Sequence, residues 1–138
     1  MKDIVNTKIK FREPFRPFAP SVNASDAADY FDFDGMDADL AARFMLLIAP
    51  LKEDVREKLP AIDHMGTARP QYVHQDTNPK YFELISKMKE ATGLPVILNT
   101  SFNVRGEPIV NSPRDALNTF ANSGLDSLIM GDYVIDKQ

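Results

Sequence analysis

The sequence predicts an α/β fold, because two well-delimited helices are accompanied by short apolar runs that are typical of strands. The first helix is expected over Pro79–Thr92: proline suits its first turn, apolar residues recur at helical spacing, and Gly93 can form a left-handed cap. The second is expected to begin at Ser112, since a serine cap, Pro113 and an acidic first turn follow one another. Residues 94–98 are expected to form a strand after the first helix.

Shorter segments complete the expected order of elements. The apolar run 44–49, closed by Pro50, has the length of a buried strand. Residues 52–58 are charged and predict a surface turn or short helix, whereas residues 68–74 alternate and predict a strand. Two final strands are expected over 127–130 and 133–135.

An acidic segment lies between residues 23 and 39, where six aspartates occur without a lysine or arginine. Ser25 is expected to cap a short helix over 26–31. Residues 32–39 are expected to form a polar loop, since their spacing does not match the longer ligand series of a calcium loop.

Composition limits the class of protein. The 138 residues, 43% of them hydrophobic, predict one domain with a real core, 1–138. A net charge of -4 argues against a general nucleic-acid coat, and no run reaches the length of a membrane span. The absence of cysteine and of a signal segment favours a cytoplasmic location. Because a site-like run begins so close to Met1, we expect the chain to be a C-terminal piece of a longer protein.

That site-like run is basic and rich in proline and phenylalanine. Five cations and two acids in the first sixteen residues give a local charge of +3. Lys10, Arg12 and Arg16 are interleaved with three phenylalanines and three prolines, which restrict the backbone. Clustered cations on a stiff segment can hold a phosphate in one orientation, so these three are the candidate catalytic residues. The alternative, a solvated basic terminus, is less favoured because such tails are seldom rich in phenylalanine.

Polar residues follow the strand predicted over 94–98. Asn99, Ser101 and Asn103 are candidate substrate ligands, since side chains beyond the carboxyl end of a strand commonly face a ligand. Arg105 adds a charge. An asparagine-rich turn that satisfies its own backbone is the alternative. Phe102 is expected to pack in the core.

A third segment, residues 63–69, offers further phosphate contacts. Gly66 permits a close approach of the backbone to a ligand, and Thr67 and Arg69 can both bind phosphate oxygens. With two histidines and no cysteine, a zinc site built by the protein is not expected. His64 is expected to be a hydrogen-bonded loop residue, and His74 is expected at the surface.

Together these motifs resemble the C-terminal domain of the O-carbamoyltransferases, the nodulation-factor and antibiotic-tailoring enzymes. The resemblance covers nearly the whole chain and is carried by Lys10–Pro20, His64–Arg69, Leu98–Asn103, Gly106–Val110 and Ser112–Ala116. One departure is Met65, since the family usually has aspartate before the glycine.

The resemblance implies a YrdC-like twisted, open, mixed sheet flanked by helices, in a single domain that is either complete or an incomplete version of that fold. In that family the domain converts carbamoyl phosphate and ATP to carbamoyl adenylate and pyrophosphate, with Mg²⁺ held by the phosphates. An N-terminal actin/hexokinase-like domain then passes the carbamoyl group to a hydroxyl acceptor. The expected partners are therefore carbamoyl phosphate, ATP and that N-terminal domain, with no membrane and no expected nucleic acid.

Two other functions compete with carbamoyl activation. One is a non-catalytic YrdC-like module that binds a nucleotide or RNA, which would require the basic residues to form a continuous track. The other is a degenerate domain that only stabilises its partner. The catalytic hypothesis predicts that polar atoms of Asn99 or Ser101 lie within roughly 10 Å of the Lys10 or Arg12 head group in one pocket, with Arg69 approaching the same space.

Overall fold

The computed structural model describes residues 1–32 and 40–137, so most of the predicted acidic loop lies outside the described residues. The fold is α/β with a mixed sheet, as predicted. Contacts group the chain into two compact units: one comprises Met1–Arg16 with Ser101–Gln138, the other Pro17–Thr100. The expectation of a single domain and of a YrdC-like fold in particular stays a prediction. Among the described residues, no helix combines the length and apolar character needed to span a bilayer.

The elements follow in chain order. The α-helices are α1 (Lys2–Ile4), α2 (Leu40–Arg43), α3 (Glu53–Arg56), α4 (Pro79–Thr92) and α5 (Pro113–Ala121). The strands are β1 (Ala19–Asn23), β2 (Ala49–Pro50), β3 (Thr67–Ala68), β4 (Gln71–Val73), β5 (Val96–Asn99), β6 (Ser127–Met130) and β7 (Tyr133–Asp136). A π-helix, Val5–Lys10, continues α1, and a 3-10 turn covers Ala27–Asp29.

The unit Pro17–Thr100 is built on a three-stranded sheet in the order β4-β1-β5. Strand β1 runs parallel to β4 and antiparallel to β5, so Val22 lies between Tyr72 and Val96. Helix α4 packs against β1 and β5 and buries Ile85 completely. The Phe31 and Tyr72 rings lie 6.3 Å apart in the same core.

Helix α4 is bounded as the sequence predicts. The Asn78 side chain accepts a hydrogen bond from the Tyr81 amide at 3.3 Å, and Pro79 occupies the first turn. Gly93 closes the helix with φ 77° and donates its amide to Lys89. Strand β5 follows and begins at Val96, two residues after the expected start at residue 94. The predicted short helix within 52–58 is α3.

The buried strand predicted over 44–49 is wrong. Phe44, Leu46 and Ile48 are 61%, 71% and 64% exposed, and strand pairing is confined to Ala49–Pro50. The physical reason is Met45, whose left-handed φ of 58° breaks the extended backbone. An apolar run of this length cannot by itself distinguish a strand from an irregular segment.

Two smaller expectations also need correction. The strand predicted over 68–74 is divided into β3 and β4 at Pro70, which has no amide to donate to a ladder. The helix predicted over 26–31 is only the 3-10 turn, with Asp26 rather than Ser25 at its N-cap and no side-chain cap bond.

The other unit contains α5 and the β6–β7 hairpin, with its own core. Ala116, Phe120 and Leu128 are buried there, and Phe102 packs against them as predicted. Helix α5 starts as the sequence indicates, because the Ser112 hydroxyl accepts the Asp115 amide at 3.2 Å. Strands β6 and β7 occupy the two predicted segments.

Gly124, which follows α5, forms a hydrogen bond with the N-terminal helical segment of the same unit. Its amide donates to the Lys8 carbonyl at 2.9 Å, and a Cβ built on Gly124 would lie 2.7 Å from that oxygen. We therefore expect Gly124→Ala to lower the free energy of unfolding by about 1–3 kcal/mol, measured by denaturant titration. Arg114→Ala, at an exposed position of α5, is the control; equal midpoints for the two variants would contradict this contact.

Candidate functional site: a basic cleft

A buried asparagine organises the basic N-terminal run. The Asn6 Nδ2 donates to the carbonyls of Pro14 and Arg16, at 3.2 and 2.9 Å, and its Oδ1 accepts from Arg12 Nε at 2.7 Å. The chain turns at Phe11, which takes a left-handed φ of 49°. Asn6 is fully buried and its position fixes the Arg12 head group. No sequence signal points to this role, since an isolated asparagine has no distinguishing pattern.

Lys10 binds the segment that follows β5 in sequence. Its ammonium donates to the backbone and hydroxyl oxygens of Ser101, the latter at 3.3 Å, and to the Asn103 carbonyl and Oδ1 at 2.9 and 3.0 Å. The predicted proximity of Ser101 to Lys10 is therefore confirmed. Burial, followed by the charge of Arg12, lowers the Lys10 pKa.

These residues line a cavity of about 220 Å³, which we call the basic cleft. Its lining consists of Lys10, Arg12, Glu13, Arg16, Ser101, Asn103, Val104, Arg105 and Gly106. Four of these residues are cationic and one is acidic. Such a surface favours an anion.

The single acid in the cleft responds to the surrounding charge. The Glu13 pKa is lowered by its own backbone amide, then by Arg16, and more weakly by Arg105 and Arg12. Arg16 lies 3.1 Å from the Glu13 carboxylate and is 54% exposed. The Arg12 pKa is lowered by burial and by Arg16, as expected for cations held close together.

Glu107 holds the loop 101–106, which lines the cleft together with the N-terminal run. Its carboxylate accepts from the Val104 amide at 3.2 Å and from the Thr119 hydroxyl at 3.1 Å. Its carbonyl accepts from Asn103 Nδ2 at 2.9 Å. Helix α5 thus supports the loop that presents Asn103 and Arg105. Sequence reasoning did not select Glu107, although its place in the Gly106–Val110 motif was a signal.

The remaining predicted ligands belong to the unit Pro17–Thr100. Asn99 ends β5 and donates to Gln71 Oε1 at 2.6 Å. Thr67 donates its hydroxyl to the His64 carbonyl at 2.8 Å, which places His64 in the hydrogen-bonded turn expected for it. Arg69 is exposed. The expectation that Arg69 and Asn99 share a site with Lys10 stays a prediction.

Asp63 holds the turn that carries Thr67. Its carboxylate accepts from the Gly66 amide at 2.6 Å and from Arg56 Nε at 3.1 Å. Desolvation alone would raise the Asp63 pKa, but these hydrogen bonds and the Arg56 charge lower it overall. Met65 in this turn is 91% exposed with φ 55°, a conformation that aspartate adopts more readily. Backbone preference thus accounts for the aspartate expected there.

A pH dependence follows from Asp63. Because its pKa is lower in the folded chain, its stabilisation is present at neutral pH and is lost as pH falls through the folded pKa. We expect Asp63→Asn to cost about 1 kcal/mol at pH 7 and progressively less as the pH falls through the folded pKa, measured by denaturant titration at a series of pH values. Asp132→Asn, in the exposed hairpin turn, is the control. A constant difference across this pH range would contradict the assigned role.

Within residues 1–32 and 40–137, no group of three or more histidine, cysteine, aspartate or glutamate side chains is arranged to hold a metal ion.

Comparison with known proteins identifies the family of the chain. The family described as carbamoyltransferase C-terminus matches residues 1–137. Nodulation protein NolNO of Sinorhizobium fredii is 44% identical over 138 residues, covering 99% of this chain and 20% of that protein. Nodulation protein NolO of Bradyrhizobium diazoefficiens is 42% identical, with 99% and 25% covered.

A third relative, whose name states a reaction, has a lower sequence identity to this chain. The 3'-hydroxymethylcephem-O-carbamoyltransferase of Amycolatopsis lactamdurans is 32% identical over 126 residues, covering 91% of this chain and 23% of that enzyme. The chain spans a quarter or less of the length of these three relatives. The matched residues include every residue that lines the basic cleft. The chain therefore belongs to the carbamoyltransferase C-terminus family.

Proposed function

We propose that this domain activates a carbamoyl group by binding carbamoyl phosphate and ATP and forming carbamoyl adenylate. The observation that carries the proposal is the basic cleft, in which four cations and two neutral polar side chains surround one small cavity. Cations stabilise phosphate oxygens, and amide and hydroxyl groups can pair with the carbamoyl NH₂ and oxygen. Membership of the carbamoyltransferase family supports the same chemistry at a coarser level.

The size of the cleft supports our assignment of carbamoyl phosphate to it. A volume of about 220 Å³ suits a compact dianion better than a whole nucleotide, since nucleotide-sized sites are usually larger. In this arrangement Arg12, Arg16 and Arg105 contact the phosphate, and Asn103 and Ser101 face the carbamoyl group. Lys10, whose protons are engaged by loop oxygens, positions Ser101 and Asn103.

The reaction balances with water as a reactant. Water takes the phosphoryl group of carbamoyl phosphate as inorganic phosphate, and an oxygen of the resulting carbamate attacks the α-phosphorus of ATP. The bond from that phosphorus to the bridging oxygen breaks and pyrophosphate leaves. The chain contributes orientation and fixed positive charge rather than a nucleophile. We assign Thr67, Arg69 and Asn99 to the nucleotide, and Mg²⁺ on the phosphates would offset their charge.

Transfer to a hydroxyl acceptor is assigned to another part of the full-length protein. The curated relatives are four to five times longer than the match, which leaves room for a separate transfer domain. We expect this chain alone to fold, because both units have capped helices and apolar cores. It should carbamoylate no hydroxyl compound, as followed by mass spectrometry. Carbamoylated acceptor produced by this chain alone would contradict the division of labour.

Calorimetry distinguishes the proposal from its competitors. We expect the chain to bind carbamoyl phosphate and ATP, and the full-length protein to release pyrophosphate only when both are present. Tight binding of a short RNA without pyrophosphate release would favour the non-catalytic binding module. Failure to bind any of the three would favour a domain that only stabilises its partner.

A further inference from the structure

A row of polar side chains crosses the three-stranded sheet of the unit Pro17–Thr100. Strand β1 pairs Ser21 with Gln71 of β4 and Ala19 with Asn99 of β5, so the three polar side chains project from the same face of the sheet. Ser21 is fully buried, whereas Gln71 and Asn99 are only half-buried. The row therefore joins the interior of the sheet to side chains that solvent reaches.

The side-chain carbonyl of Gln71 is the centre of this row, because it accepts two hydrogen bonds. The Ser21 hydroxyl donates to Gln71 Oε1 at 2.8 Å, and Asn99 Nδ2 donates to the same oxygen at 2.6 Å. Asn99 Nδ2 also donates to Met45 Sδ at 3.6 Å. Both N–H groups of the Asn99 amide are thereby engaged, which holds the amide in one orientation.

This orientation leaves the Asn99 side-chain oxygen available. None of the residues that the structure describes donates a hydrogen bond to Asn99 Oδ1, and this atom is not sealed from solvent. A free asparagine side chain offers a ligand either N–H donors or an oxygen acceptor. Because Gln71 and Met45 engage the N–H groups, Asn99 offers a ligand only the acceptor.

Met45 contacts Asn99 from an unusual backbone conformation. Its φ of 58° lies in the left-handed region, which residues with a large side chain seldom adopt. Strained backbone of this kind is concentrated at ligand-binding sites, where the surrounding structure holds it in place. The contact between Met45 and Asn99 is therefore a second observation that favours a binding role for this face of the sheet.

We propose that Gln71 is a positioning residue, which orients Asn99 so that Asn99 Oδ1 accepts a hydrogen bond from the nucleotide. This inference rests on the proposed function, in which Asn99 contacts ATP. ATP carries suitable donors in the exocyclic amine of adenine and in the two ribose hydroxyls, and each would donate to the same oxygen. Gln71 acts through Asn99 and need not touch the nucleotide.

Titration calorimetry of the chain with ATP and three analogues identifies the donor. The analogues are purine riboside triphosphate, which lacks the amine, and 2′-deoxy-ATP and 3′-deoxy-ATP, which each lack one hydroxyl. We expect one analogue to bind about tenfold more weakly than ATP, because it leaves Asn99 Oδ1 without a donor. Asn99→Ala should abolish this discrimination. Equal affinity of the unmodified chain for all four nucleotides would overturn the proposal.

Variants of Gln71 separate positioning from a general structural role. Gln71→Met has a similar size but lacks the amide oxygen that orients Asn99, so the discrimination should fall to about twofold or less. Gln71→Glu keeps an oxygen for both Ser21 and Asn99 and should retain the discrimination, although its charge weakens the binding of every nucleotide. Gln75→Met, at an exposed position after β4, is the matched control and should keep the wild-type ratio.

Each ratio compares two ligands of the same folded variant, so a loss of stability does not imitate the expected result. If Gln71→Met does not fold, Met45→Leu removes the other acceptor of the Asn99 amide and should lower the discrimination about threefold. Wild-type discrimination in both variants, or its loss in Gln71→Glu, would overturn the role of Gln71. Absence of ATP binding by the unmodified chain would contradict the proposed function as well, which makes the two failures distinguishable.

Discussion

Replacing Arg12 with glutamine is expected to lower carbamoyl-phosphate-dependent pyrophosphate release about 30-fold in a full-length protein that contains this domain. The loss of one charge-assisted bond to phosphate costs about 2 kcal/mol, which corresponds to that factor. Arg12 is suited to the role because Asn6 Oδ1 holds its Nε at 2.7 Å and burial restricts its head group. The measurement is steady-state release of pyrophosphate at varied carbamoyl phosphate concentration.

Arg16→Gln is the second arm of this test. Arg16 is 54% exposed, so its removal should disturb the fold less than removal of Arg12 while still taking one positive charge from the cleft. Arg114→Gln makes the same change of charge outside the cleft and should keep the wild-type rate. Wild-type pyrophosphate release in both cleft variants would remove the basic cleft from the reaction.

The kinetic parameters of the variants would show whether the arginines bind the phosphate equally in the substrate and in the transition state, or more strongly in the transition state. If they bind the phosphate equally in substrate and transition state, KM rises and kcat is unchanged. If the contacts strengthen as phosphate leaves the carbamoyl group, kcat falls as well. Arg12, Arg16 and Arg105 line the same cavity as Glu13, and Arg16 lies 3.1 Å from the Glu13 carboxylate, so the cluster is already assembled in the free chain.

The helix boundaries could be predicted because their causes are local. Asn78, Pro79 and Gly93 delimit α4 through groups within one turn of each end, and Ser112 does the same for α5. Each signal lies in a few consecutive residues. The α/β class follows from these elements and the short strands between them.

The interior of the site depended on contacts that no local pattern contains. The sequence predicted Lys10 as a cation that holds a phosphate, but its partners within the chain are the oxygens of Ser101 and Asn103, 91 and 93 residues away. Asn6 was missed for a similar reason, since its partners are the Pro14 and Arg16 carbonyls and the Arg12 side chain, which lie beyond the turn at Phe11. Apolar content alone likewise led to a wrong prediction for residues 44–49, where the left-handed backbone of Met45 is incompatible with the predicted strand.

Replacing Lys10 with methionine should test whether its role is structural. Methionine retains much of the apolar stem but removes the charged donor for the Ser101 and Asn103 carbonyls, two part-buried bonds that hold the loop to the N-terminal segment. Lys10 itself is only 4% exposed. We expect a loss of about 3 kcal/mol in the free energy of unfolding, measured by denaturant titration.

Lys8→Met is the matched control, because Lys8 belongs to the same π-helix and is exposed. Its effect on stability should stay within about 0.5 kcal/mol. Lys10 could serve as a phosphate ligand or as a residue that holds the loop, and the two roles predict opposite results for Lys10→Met. If Lys10 were mainly a phosphate ligand, stability would be kept and carbamoyl phosphate affinity lost. If it holds the loop, stability falls and the protection of the 101–107 amides from hydrogen exchange falls with it, since Asn103 and Arg105 would no longer be presented in one geometry.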